Sequence, residues 1–236
     1  VTVADRLADV RGRIAAAAAR SGRNEADVIL VAVTKYAATE RVIALAEAGQ
    51  DVFGENRVQD AIPKMATVSQ AVPRPLRWHM IGHLQRNKVR QAVGPFALIE
   101  SVDSVRLGEA VAERARADDA SAGALLQVNV SADPAKFGFD PDEVHAAYPG
   151  IATLGGLDVQ GLMTIGAVDA PVEASRRAFA ALRDLRDELA AMVPGRPLPH
   201  LSMGMSADFE VAIEEGATIV RVGTALFGSH HSETAT

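Results

Sequence analysis

Lys35 follows Val28-Ile29-Leu30-Val31-Ala32-Val33-Thr34, an apolar run of the kind that forms a strand buried on both faces. The lysine therefore falls where such a strand leaves the core and can offer its amine to a pocket. An amine so placed can condense with a carbonyl compound to an imine. The chain uses twenty arginines and only four lysines, so this position selects an amine able to lose its proton, which a guanidinium cannot do. A solvated strand edge is the other reading of the same pattern.

Two loops near the C-terminus carry a second kind of chemistry. Leu201-Ser202-Met203-Gly204-Met205-Ser206 and Gly223-Thr224-Ala225-Leu226-Phe227-Gly228 combine small residues with hydroxyls. Gly204 and Gly223 let backbone N–H groups approach an anion, and the hydroxyls of Ser202, Ser206 and Thr224 can donate to it, which together describe a phosphate cradle. Taken singly, Ser206 also fits a helix N-cap and Gly223 a tight turn. Arg221 interrupts the apolar run before the second loop, and alternation puts Ile219, Arg221 and Gly223 on one face with Val220 and Val222 on the other. A buried guanidinium needs an acceptor: an ion pair with Glu55 or Glu100, or a ring nitrogen of a ligand. His79 has the same inward parity in Arg77-His79-Ile81, and Asn56 in Gly54-Glu55-Asn56 places an amide at the end of another short strand.

The elements that must position these residues alternate along the chain. Strands are expected near 28–34, 51–54, 77–81, 97–101, 124–130, 158–164, 198–202 and 217–222. Helices are expected near 40–48, 56–68, 84–93, 104–117, 141–148, 171–192 and 207–215, with Thr39 as a cap and Gly49 as a left-handed stop. A further helix over residues 2–20 precedes the first strand, with Val3, Leu7, Val10 and Ile14 on one stripe. Helix end, loop, strand and glycine recur in Glu47-Ala48-Gly49 with Val52-Phe53-Gly54 and in Glu214-Glu215-Gly216 with Val220-Arg221-Val222-Gly223.

Eight strand–helix units in about 210 residues predict a single α/β domain over residues 1–236, a (β/α)8 TIM barrel with an extra N-terminal helix and a frayed tail from residue 229. A Rossmann-like sheet is the alternative, but no Gly-x-Gly-x-x-Gly follows the first strand. In such a barrel the two hydroxyl-rich loops follow strands seven and eight, where phosphate commonly binds, across the mouth from Lys35. A strand-end lysine, a phosphate cradle and a buried arginine suit a phosphorylated aldehyde held as an imine. Pyridoxal 5′-phosphate is such a ligand; a sugar-phosphate aldolase with an imine-forming lysine fits the same residues.

Composition bounds the partners. A net charge of −6 and a pI near 5.5 argue against nucleic acid or an anionic membrane. The cluster Arg86, Lys88, Arg90 reads as a solvated helix face. Without cysteine there is no disulfide, thiol catalysis or thiolate metal site, and no His or carboxylate set has metal spacing. The only apolar run near the N-terminus, Ile14 to Ala19, is too short and alanine-rich for a signal peptide, and no stretch approaches the roughly 18 apolar residues of a membrane span. A cytoplasmic monomer is expected.

The chain resembles the pyridoxal phosphate homeostasis proteins (the YggS/PROSC family), which are similar to the barrel domain of alanine racemase standing alone. The matching stretches run in family order: Val31-Ala32-Val33-Thr34-Lys35, Phe53-Gly54-Glu55-Asn56, Trp78 through Lys88, Gly161-Leu162-Met163, His200 through Ser206, and Val220-Arg221-Val222-Gly223-Thr224. Tyr36-Ala37 departs from the family, whose members often have a proline there. The resemblance implies that Lys35 forms the imine, that Asn56 and His79 line the cofactor with Met163 close by, and that Arg221 faces the pyridine nitrogen. It implies Ser202, Gly223 and Thr224 as phosphate ligands, with Ser206 nearby. It also implies intracellular buffering, carrying and delivery of pyridoxal 5′-phosphate, with apo enzymes that use this cofactor as recipients, and little or no catalysis. A racemase or lyase of low activity is the alternative.

Overall fold

The computed structural model describes residues 1–131, 133, 135–166 and 171–228. The eight strands are β1 (Ile29–Val33), β2 (Val52–Glu55), β3 (Arg77–Met80), β4 (Leu98–Val102), β5 (Ala122–Gln127), β6 (Leu157–Met163), β7 (His200–Ser202) and β8 (Ile219–Val222). They are parallel and pair in sequence order, and β8 pairs with β1 to close the barrel. The helices are α1 (Val3–Arg20), α2 (Thr39–Glu47), α3 (Val58–Ala71), α4 (Val89–Ala92), α5 (Val105–Ala117), α6 (Pro141–Ile151), α7 (Val172–Met192), α8 (Phe209–Glu214) and α9 (Thr224–Phe227). Among the described residues no helix is long and apolar enough to cross a membrane. The tail expected to fray from residue 229 lies outside the described residues.

Alternation along each strand divides the apolar residues between two compartments. Leu30, Ala32, Phe53, Trp78, Met80, Ile99, Leu126, Leu201, Val220 and Val222 face outward into the layer beneath the helices. Val31, Val52, Leu98, Leu125, Met163 and Ile219 face inward and plug the barrel floor. The plug does not reach the mouth. Above it the inward positions become polar: His79, Glu100, Ser202 and Arg221 are all buried.

Helix α1 begins on a capping box between Thr2 and Asp5 and buries Leu7, Val10, Ile14, Ala17 and Ala18. Arg13 and Arg20 bond Glu210 and Glu214 of α8, and Arg23 donates to the carbonyls of Ile213 and Ala217 at the end of that helix. The extra N-terminal helix is thus tied to the element that follows the first hydroxyl-rich loop. Both ends of the internal echo hold: Gly49 and Gly216 end α2 and α8 with φ of +97° and +100°.

Several boundaries differ from expectation. Thr39 is the first helical residue of α2 and caps nothing, because Ala38 takes the extended N-cap conformation. The helix expected over 84–93 is a 3-10 turn at Arg86–Lys88 followed by the short α4; Gln85-Arg86-Asn87-Lys88 supplies no apolar stripe for a longer one. β5 runs over Ala122–Gln127 and stops before 128–130, since the backbone there turns to Phe139, whose carbonyl accepts from the Asn129 N–H at 2.9 Å and whose N–H donates to the Gln127 carbonyl. The loop after β8 contains a helical turn, α9, that buries Leu226 and Phe227.

Candidate functional site

Barrel closure decides which residues meet. In the β1–β8 register Val31 lies beside Arg221 and Ala32 beside Val222, so the two strands leave the sheet together. A Cβ on Gly223 would stand 3.4 Å from that of Val33. Lys35 and the Gly223 loop are therefore neighbours across the seam, not opposite one another across the mouth as the sequence suggested. Lys35 itself is exposed beyond the end of β1, with its Nζ 5.0 Å from the Tyr36 ring centroid.

The two serines have different surroundings. Ser206 Oγ accepts from the backbone N–H groups of Gly223 and Ala225, each at 3.2 Å. These donors come from the start of the second hydroxyl-rich loop and converge on one oxygen, the arrangement a phosphate oxygen requires. Ser206 is no helix cap; Asp208 holds that position for α8. Thr224 stands exposed beside this point, and with Ser206, Ala225, Phe227, Gly228 and Arg6 of α1 it lines an open recess.

Ser202 is fully buried within the barrel, where its hydroxyl donates to Glu100 Oε2 at 2.5 Å and accepts from Arg221 Nη1 at 2.5 Å. Its single proton is committed, so the structure places it with the arginine and not with the Gly223 loop. The sequence reading made it a phosphate ligand; here its hydroxyl is engaged by Glu100 and Arg221. Gly204 likewise serves packing: its φ is +90°, a Cβ would meet Phe209 Cα at 2.9 Å, and its carbonyl accepts from the Arg221 N–H.

Arg221 points inward as alternation predicts, and Nη2 donates to the Thr164 carbonyl at 2.7 Å. Glu100, one of the two carboxylates considered for it, is 3.8 Å from Nη1. Glu100 also receives His79 Nδ1 at 2.6 Å. Burial by itself would raise the Glu100 carboxyl, but the His79 hydrogen bond and charge, Arg221 and Ser202 together hold it below the usual carboxylate range. An ionised carboxylate only accepts, so His79 carries its proton on Nδ1 and leaves Nε2 unengaged by Glu100. Burial pushes the Arg221 guanidinium down against the pull of Glu100 and Asp208, and it stays a cation.

Asn56 follows β2 half-buried at the rim, where the Gly82 backbone after β3 presses against its Cα. Met163 ends β6 with its side chain in the inner plug. Glu55, the other carboxylate considered for Arg221, faces outward and bonds Lys64. Sequence reasoning did not foresee the contact of Lys64 with Thr34, the Thr164 carbonyl as an acceptor for Arg221, or the Ala225 N–H as a donor to Ser206. Lys64 lies mid-helix with no local signal, and the other two act through backbone atoms.

A closed barrel of eight parallel strands is the fold of the alanine racemase N-terminal domain. The family model described as alanine racemase, N-terminal domain, matches residues 6–231. Alanine racemase of Clostridium difficile 630 has the same fold, with a TM-score of 0.68 at 16% identity over 89% of this chain and 55% of that one. The pyridoxal phosphate homeostasis protein of Aquifex aeolicus is 41% identical over 95% of this chain and 96% of its own length. PipY of Synechococcus elongatus PCC7942, solved with pyridoxal phosphate bound, is 38% identical with a TM-score of 0.85, covering 96% of this chain and all of that one. The chain belongs to the pyridoxal phosphate homeostasis family within the alanine racemase N-terminal domain fold.

Proposed function

We propose that this protein binds pyridoxal 5′-phosphate and acts in its homeostasis in the cytoplasm, buffering, carrying and delivering it as a monomeric single-domain barrel, with apo enzymes as recipients. The observation that carries the reading is the β1–β8 seam, which sets an exposed lysine, a buried arginine and two converging amide donors side by side. These suit an aldehyde, a pyridine nitrogen and a phosphate in one ligand. When bound, pyridoxal 5′-phosphate supplies an aldehyde that forms a reversible imine with a primary amine, here assigned to Lys35.

The chain's own residues then divide the work. Gly223, Thr224 and Ser206 bind the phosphate, Ala225 adds its N–H, Asn56 and His79 line the ring, and Met163 closes the floor beneath it. Arg221 holds a permanent cation for the ring nitrogen, which disfavours a proton there and withholds the electron sink that chemistry at an amino-acid Cα needs. Holding with little catalysis is the expected result. Lys64 is a poor competitor for the imine, because its amine is engaged by Glu55 and the Thr34 carbonyl.

The decisive experiment is the absorbance spectrum of the protein with pyridoxal 5′-phosphate, before and after borohydride. Lys35→Ala is expected to abolish the reducible adduct while keeping weaker, phosphate-driven binding. An adduct that survives in that variant would move the imine to another lysine. Stereospecific, catalytic exchange of amino-acid Cα protons in deuterated water would replace the carrier by an enzyme.

A further inference from the structure

The residue before Lys35 is held more firmly than strand pairing requires. Thr34 is fully buried, and each of its hydrogen-bonding groups is used. Its N–H donates to the Gly54 carbonyl at 2.9 Å, its hydroxyl donates to Glu55 Oε1 at 2.7 Å, and its carbonyl accepts from Lys64 Nζ at 2.7 Å. Lys64 Nζ also bonds Glu55 Oε1 at 2.6 Å, so carboxylate, ammonium and threonine form a closed triangle. The triangle ties β1, β2 and α3 together directly behind Lys35, and its Glu55 is the neighbour of Asn56.

Stability alone is a poor reason for this arrangement. The Glu55 side chain is 0% exposed and that of Lys64 13%, and taking both charges out of water largely cancels their attraction. The second Glu55 oxygen is buried without a hydrogen-bond partner, which adds an uncompensated desolvation penalty. An apolar pair of the same volume would serve packing as well. What an apolar pair could not do is grip the Thr34 hydroxyl and carbonyl and so fix the Cα from which Lys35 projects.

We propose that Lys64 and Glu55 are positioning residues for Lys35: through Thr34 they set where the exposed amine stands relative to the Gly223 loop. The inference rests on the assignment of Lys35 as the imine-forming residue. A long, exposed side chain has many rotamers, and anchoring its origin restricts the volume its Nζ samples. Loosening the anchor lowers the effective concentration of the amine at the aldehyde without touching the phosphate donors.

The test titrates the full chain with pyridoxal 5′-phosphate and reads imine absorbance and the borohydride-trapped product. The variants are Thr34→Val, Thr34→Ser, and Lys64→Met combined with Glu55→Gln. Thr34→Val and the combined variant are expected to weaken adduct formation about tenfold, and Thr34→Ser, which keeps the hydroxyl, to retain it. Placed in a Lys35→Ala background, the same changes should leave the residual phosphate-driven binding unaltered. Wild-type adduct affinity in Thr34→Val would overturn the proposal, as would an equal loss in the Lys35→Ala background, which would mark general loosening. Thr34→Val decides if the combined variant fails to fold. A wild-type protein with no reducible adduct would instead overturn the Lys35 assignment, and the clamp with it.

Discussion

Glu100 is the residue on which the barrel's polar layer depends. It is fully buried and accepts from His79 and Ser202 while lying 3.8 Å from Arg221, so one carboxylate serves two potential cations and a hydroxyl. Ser202 and Ser206 were equivalent in sequence, both small, hydroxylated and in one loop; only their hydrogen bonds separate them. Ser202→Ala leaves a buried guanidinium N–H and a carboxylate oxygen short of a partner, and should cost about 1.5–3 kcal/mol in urea unfolding. Ser206→Ala removes the acceptor of the Gly223 and Ala225 N–H groups beside an open recess where water can replace it, so it should cost less than about 1 kcal/mol in stability and weaken pyridoxal 5′-phosphate binding about tenfold, the loss of one hydrogen bond to a charged ligand. If Ser202→Ala weakened binding selectively and left stability intact, the separation of roles would be wrong.

At the scale of elements, the strands carry the site and the connections between them set its tolerance. The inward-facing sequence positions of β3 and β8 were legible because alternation leaves an apolar strand only two faces, and a charged residue on one is conspicuous. The segment after β3 was not, because Leu84 and Val89 are anchored by tertiary packing without helical spacing. Gly82 shows what that packing demands: a Cβ there would lie 2.6 Å from Asn56 Cα. Gly82→Ala should cost about 1–3 kcal/mol by overpacking and displace Asn56, so thermal unfolding and ligand affinity should fall together. Gly150→Ala in α6 is the control, since nothing lies within 4 Å of its Cβ position; it should be neutral or stabilise by up to about 1 kcal/mol.

Over the whole molecule, the groups that titrate on the acid side of neutrality make stability fall as pH falls. Burial lowers the His200 imidazole below its ordinary 6.5, with the His79 charge adding to it against Glu100. The unfolded chain then binds this proton first, so stability is lost as pH falls from about 6.5 towards the folded value. Glu100 is held below its ordinary 4.5, so its contribution is complete above that pH and is lost as pH falls through the folded value. Glu214 and Glu215, lowered with Arg176 as a main partner, act in the same sense. The urea midpoint should therefore decline in an upper step that His200→Gln removes and a lower step below about 4.5 that it does not. A midpoint constant between pH 7 and 5 in the wild type would rule out the His200 contribution. The sequence by itself determined the eight strands and most of the helices between them, the inward parity of Arg221 and His79, and the strand-end lysine, because these follow from periodicities of two and 3.6 and from composition. Only the tertiary structure decided which loops are neighbours, which serine meets Glu100, and that Lys64 reaches back to Thr34. Those depend on the register at which β8 closes against β1 and on the rotamers of side chains from distant elements, and no local pattern encodes either.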